Sequence, residues 1–268
     1  MPFASRTPAH APPRARRTVV AAAFLLALGA GGGSAGEPLR VFAAASLRDS
    51  FQELAALFEA QHPGESVELN LAGSQVLRTQ VELGAPADVF ASADPAHAEA
   101  LERAGLLGSG APLARNRLVV VVPVGGAAVA RLSDLARPGV SVVVAGSAVP
   151  VGRYTAQVLA KLEASGHYGA DFQARVQQNV VSLETNVRAV LAKVALREAD
   201  AGFVYVTDAA AAGDKVRVLE IPEASNEVVA YRIGVVTRSA APAQARAFVD
   251  LALGRQGQAV LHKHGFAR

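Results

Sequence analysis

Four stretches of this chain put small or hydroxyl-bearing residues where a strand or turn gives way to an amphipathic run. They are VFAAASLRDS with Ser46, LAGSQVLR with Ser74, SAVPVGRY with Pro150 and Val151, and SLETNVRAV with Asn186 and Val187. A helix starting at each presents backbone N–H groups that have no acceptor within the helix, together with a partial positive charge. Such an end holds an anion without any full cation. Taken singly, Ser46 and Ser74 read more simply as helix N-caps whose hydroxyls serve their own helices. Four such starts in one alternating α/β chain turn a capping pattern into a candidate anion site.

Other chemistries find less support. Gly32-Gly33-Ser34-Ala35-Gly36 matches the G-x-S-x-G nucleophile pattern, but it lies outside any strand-to-helix turn and reads as chance. The six histidines, His10, His62, His97, His167, His262 and His264, form no spaced ligand set beyond a loose pair at the end of the chain. Asp88 and Asp94 flank a strand end at a spacing common for caps, which argues against a hydrolase. No glycine-rich phosphate loop is followed by lysine, so the chain does not read as an ATPase. A ferric site would need clustered tyrosines, and Tyr154, Tyr168, Tyr205 and Tyr231 show no close pair in sequence. Arg153 and Arg188 stand beside two of the helix starts and read as surface or hinge ion-pair residues. With no cysteine, neither thiol chemistry nor a thiolate metal site is available.

The elements that must position these loops alternate along the chain. Strands are expected over 39–43, 66–72 and 87–92, and helices over 47–61, 75–83 and 95–104, the last two stopped by Gly84 and Gly105. In 47–61 the residues Leu47, Phe51, Leu54 and Phe58 share one face. A second set follows, with strands over 117–122, 140–145, 202–206, 216–221 and 228–237 and helices over 151–164 and 186–197. Helices over 241–253 and 256–264 close the chain. This alternation predicts parallel βα units in two lobes: 37–117 with 238–268, and 118–237 including the strands that cross between them. A ligand cleft is expected where strand ends of the two lobes face each other.

The first 35 residues read as an export signal. Arg6, Arg14, Arg16 and Arg17 precede an apolar stretch over 19–28, too short to span a bilayer, and small residues follow, which places cleavage near Ala35. The whole chain carries 26 Lys+Arg and 23 Asp+Glu; without the four signal arginines 22 basic residues face 23 acidic ones, a net of −1. No basic patch remains to bind nucleic acid. A soluble, monomeric protein of the periplasm is expected.

The wording of the loops resembles the periplasmic molybdate-binding proteins of ABC importers, the ModA family. The resemblance runs from Leu39 to Phe266 and rests on VFAAASL at 41–47, GAPADVFASAD at 84–94, NRLVVVVP at 116–123, VPVGRY at 149–154, NVRAVLAKV at 186–194, GFVYVTDA at 202–209 and the closing His264-Gly265-Phe266. It implies the two-lobed type II periplasmic binding protein fold, each lobe a mixed sheet flanked by helices, with the ligand between them. It also implies capture of molybdate, with tungstate as a close equivalent, and delivery to an importer whose permease and cytoplasmic ATPase are separate proteins. Carried over motif by motif, the oxyanion donors are the hydroxyls of Ser46 and Ser74, the backbone amides of Val151 and Val187, and the hydroxyl of Tyr205. Molybdenum enters only as the bound oxyanion, through these same residues, and neither a cofactor nor enzymatic activity is implied. Another tetrahedral oxyanion such as sulfate, or an exported enzyme of this fold class, is the alternative.

Three departures bear on the pocket. Val151 stands where the family's VPxG turn usually has Ala; Gly146-Ser147 replaces a common Asp-Pro pair; Gly73 and Gln75 flank a serine usually set in a serine run. The physics suits the implied ligand, because molybdate at neutral pH is a dianion with acceptor oxygens only. A donor-only pocket satisfies it and penalises phosphate, which brings its own O–H. Sulfate has the same charge pattern, so pocket size must exclude it.

Overall fold

A computed structural model describes residues 37–268. The expected export segment 1–35, its cleavage near Ala35 and the 32–36 pattern lie outside the described residues.

The first three strands, β1 (Leu39–Ala44), β2 (Val67–Ala72) and β3 (Val89–Ser92), alternate with α1 (Arg48–Gln61), α2 (Ser74–Glu82) and α3 (Pro95–Arg103). β1 lies between β2 and β3, parallel to both. α1 buries Phe51, Leu54 and Phe58 because these recur at helical spacing on one face. Gly84 and Gly105 take φ of 86° and 68° just past α2 and α3, a conformation glycine adopts without penalty at a helix end.

A 13-residue strand, β4 (Ala111–Pro123), then leads into the second set. It contains β5 (Val142–Ala145), α4 (Pro150–Ala164), α5 (Phe172–Gln178), β6 (Val180–Glu184), α6 (Val187–Ala195), β7 (Ala201–Tyr205), α7 (Val206–Ala212) and β8 (Val216–Glu220). β5 is parallel to both β6 and β7. The chain returns along β9 (Val228–Val235) and ends in α8 (Pro242–Leu253) and α9 (Arg255–Lys263). α8 packs on α1, with the Phe248 ring 6.0 Å from Phe51 and 5.6 Å from Phe58.

The strands form one curled sheet in the order β2-β1-β3-β9-β4-β7-β5-β6, with β8 paired to β4. Its outer thirds are parallel and its middle is antiparallel. β4 joins them: Ala111–Arg117 pairs with β9, and Leu118–Pro123 pairs with β7 and β8. β9 also pairs with β3, so both crossing strands lie side by side at the centre. Leu118 through Val122 are fully buried, as a central strand covered on both faces requires.

The structure extends the expectations in three places. β4 begins six residues before 117, because exposed Arg115 and Arg117 alternate with buried neighbours and hide the strand in the sequence. α5 and β6 occupy a stretch left unassigned; α5 is seven residues long and buries only Phe172 and Val176, too weak a period to read. α7 is equally short and rich in alanine.

Candidate anion-binding site

The sheet explains how distant loops meet. β1 and β2 pair in register with Ala44 opposite Ala72, and each continues two residues further to a serine, Ser46 and Ser74. Across the molecule, β5 pairs Ala145 with Glu184 of β6, and the chain runs from these ends to Val151 and Val187. β7 ends at Tyr205. The five residues therefore stand at the C-terminal ends of parallel strands, the usual place for a ligand in an open α/β sheet. All five line one cavity, along with Gly73, Ala93, Pro150, Asn186 and small alanines. Among the described residues, none that lines it is charged.

Each donor's state can be read from its partners. Ser46 lies in a short 3₁₀ turn, Ala45–Leu47, and α1 begins only at Arg48, with Leu47 at the N-cap. Ser74 is the first residue of α2, and Gly73 is the N-cap. The capping reading of both serines is thus corrected: neither helix has a side-chain cap bond. Ser74 Oγ instead accepts the Ala93 N–H at 3.1 Å, which leaves the serine's own proton to be donated. Ser46 Oγ is 2.9 Å from the Tyr231 hydroxyl.

On the other side, Pro150 opens α4, so Val151 carries one of the first N–H groups without a helical acceptor. Val187 opens α6; the Asn186 side chain caps that helix by accepting the Ala189 N–H at 3.0 Å, which leaves the Val187 N–H for a ligand. The Tyr205 hydroxyl is buried and has no partner among the described residues. Burial raises its pKa well above the phenol range, with Tyr231 beside it adding to the rise, so it remains a neutral donor. A buried hydroxyl without a partner is costly unless something fills the cavity it faces.

The rim is charged where the cavity is not. Arg153 forms an ion pair with Asp94, and Arg188 reaches Asp49 at 2.5 Å and Asp208 at 2.6 Å. Asp94 and Asp49 belong to the β1–α3 side, the two arginines to the β5–β7 side. Gln75 Nε2 adds a bond of 2.8 Å to the Thr185 carbonyl across the same gap. Burial opposes the Arg188 charge, but Asp208 and Asp49 outweigh it and its pKa is raised. Burial pushes the Asp208 carboxyl up to about 6, with Arg188 pulling the other way. Neither arginine lines the cavity.

Sequence reasoning missed several of these groups. Asp94 is the expected cap, accepting the Ala96 N–H at 2.8 Å, but its other oxygen meets Arg153. Asp88 accepts the Arg40 N–H and the Ser239 hydroxyl, at 2.8 and 2.6 Å, and does not line the cavity. His264, one of the loose pair at the end of the chain, meets Glu53 at 2.9 Å. Tyr231 and the close approach of Gly73 to Thr185 had no local signal at all. Among the described residues no group of His, Cys, Asp or Glu has the arrangement of a metal site.

A curled two-lobed α/β fold, with a charge-free cleft built from hydroxyls and helix N-termini, defines a binding protein for a small anionic solute. The chain belongs to the bacterial extracellular solute-binding protein family, whose model matches residues 39–267. It is 41% identical over 230 residues to the molybdate-binding protein ModA of Mycobacterium tuberculosis H37Rv, covering 85% of this chain and 84% of that protein. The periplasmic molybdate-binding protein of Azotobacter vinelandii superposes with a TM-score of 0.74 at 24% identity, over 86% of this chain and 99% of that one. The sulfate-binding protein SubI of M. tuberculosis H37Rv gives 0.75 at 22%, over 85% and 86%. At those identities both structures establish the fold alone, and the fold by itself does not separate the two anions.

Proposed function

We propose that this chain captures molybdate, and also tungstate, in the cleft between lobes 37–117 with 238–268 and 118–237, and delivers it to an ABC importer. The ligand oxygens accept from the hydroxyls of Ser46, Ser74 and Tyr205 and from the backbone N–H groups of Val151 and Val187. The observation that carries this reading is the convergence of these donors, with no charged residue, on one cavity that the unpartnered Tyr205 hydroxyl faces. The 41% identity to a protein named for molybdate favours that anion over sulfate. The lining offers no general acid or base, and Asp208, the buried carboxyl whose pKa is raised to about 6, pairs with Arg188 outside it, which favours a protein that binds and releases its ligand unchanged. Transport energy comes from the partner permease's cytoplasmic ATPase. The mature protein is a periplasmic monomer, released by cleavage near Ala35.

Titration calorimetry with molybdate, tungstate, sulfate and phosphate tests this. Tight binding of the first two with weak or no binding of the others is expected. No tight binding to any of the four overturns the oxyanion reading, and a preference for sulfate overturns the choice of ligand.

A further inference from the structure

Tyr231 donates nothing to the cavity, yet it sits directly behind it. It lies on the crossing strand β9, is fully buried, and is absent from the cavity wall. Its ring is held edge-on by Tyr205 at 6.2 Å and Phe266 at 5.3 Å. Its hydroxyl meets Ser46 Oγ at 2.9 Å, and from that distance alone either oxygen is able to donate.

Burial resolves the direction. Tyr231 is fully buried and Ser46 Oγ is its one hydrogen-bond partner among the described residues, so a phenol proton turned anywhere else would be left unsatisfied at a cost. Ser46 lines the cavity, which is open to its own proton. The Tyr231 hydroxyl therefore donates to Ser46. Ser46, accepting from Tyr231, then turns its own proton into the cavity. The Ala93 N–H orients Ser74 in the same way.

We propose that Tyr231 is a positioning residue that holds Ser46 as a hydrogen-bond donor toward the cavity, and that this polarity makes the site reject oxyanions that carry a proton. The proposal rests on the oxyanion reading above. Without the phenol, the Ser46 hydroxyl is free to rotate and accept an O–H from a ligand, so discrimination between fully ionised and protonated anions narrows.

The test is a double-mutant cycle read by calorimetry, with molybdate and with phosphate competing against it. It uses the wild type, Tyr231→Phe, Ser46→Ala and the double variant. Tyr231→Phe keeps the ring contacts and is expected to weaken molybdate by roughly tenfold, the worth of about one oriented hydrogen bond. It is also expected to shrink the molybdate-to-phosphate ratio. In the Ser46→Ala background the same substitution should cost nothing further, because there is no hydroxyl left to orient. Multiplying losses with an unchanged ratio overturn the proposal. Should Tyr231→Phe fail to fold, a neutron structure of the wild type with molybdate locates the deuterium between the two oxygens: carried by Tyr231 it supports the proposal, carried by Ser46 it overturns it. A wild type that binds no oxyanion removes the proposed function and this inference together, whereas a wild type that binds molybdate and gives an additive cycle removes this one alone.

Discussion

The cavity and its rim adjoin along the chain, at Val151 and Arg153 and at Val187 and Arg188, and are built from opposite chemistries. The cavity has hydroxyls and amide N–H groups and no charge; the rim has Arg153 with Asp94 and Arg188 with Asp49 and Asp208. The difference teaches a division of labour. A bound dianion held by fixed neutral dipoles needs no counter-ion whose geometry and size would have to match it. A full cation inside would attract every anion alike, whereas oriented donors select by proton content and size. The charges are used at the edge, where Arg153 with Asp94 and Arg188 with Asp49 pair across the gap between the two sides.

The largest test of this division is mechanical. A Cβ on Gly73 would run into the Thr185 carbonyl across the gap. Gly73→Ala should therefore hold the two donor sets apart, and lose more affinity than any single hydroxyl deletion, above about 3 kcal/mol. Its melting temperature without ligand should change little, since on its own side the Cβ would meet only the end of the flexible Gln75 side chain, which is free to move aside. Calorimetry beside a thermal melt checks both; an unchanged affinity would show that the sides need not approach this closely to bind.

Removing individual donors comes next. Ser46→Ala, Ser74→Ala and Tyr205→Phe should each cost about 1.5–3 kcal/mol of oxyanion binding, the usual worth of a hydrogen bond to a charged partner. Unaltered affinity in both Ser46→Ala and Tyr205→Phe would refute the residue assignment even with the right ligand.

The rim should matter less and in a different observable. Arg153 is partly exposed, so Arg153→Gln is expected to cost about 1 kcal/mol, as half-solvated ion pairs do. The loss should appear as faster ligand release that converges on the wild-type rate at high salt, where the pair is screened. Stopped-flow release in low and high salt measures it; a slower association with unchanged release would move Arg153 from closing the cleft to attracting the ligand.

The smallest effect expected is at Val151. Its contribution is a backbone N–H, so Val151→Ala keeps the donor and should change affinity by less than about 1 kcal/mol, well below a lost charged hydrogen bond. A larger change in the ratio of molybdate to sulfate would show that the Val151 side chain sets the pocket's size.

Local order made much of this legible. Helix starts at Pro150 and Asn186, the glycine stops at 84 and 105 and the buried valine runs follow from turn chemistry and hydrophobic period, which a sequence displays directly. The loops that form the cavity could be named because each begins an element at a strand end. The elements that escaped, α5, β6 and α7, are short, and their period is carried by only a few buried side chains.

By itself, then, the sequence determined an α/β chain with several anion-competent helix starts, and the wording of those starts pointed to the family. Tertiary structure alone decided that neither serine caps its helix, that Tyr231 stands behind Ser46 from 185 positions away, and that Arg153 finds Asp94 across 59. These pairs depend on the register of parallel strands and on two crossing strands lying side by side at the centre of the sheet. Long-range geometry of that kind leaves no periodic trace in the chain, because what it fixes is not which residues start a helix but which hydroxyl proton faces the ligand.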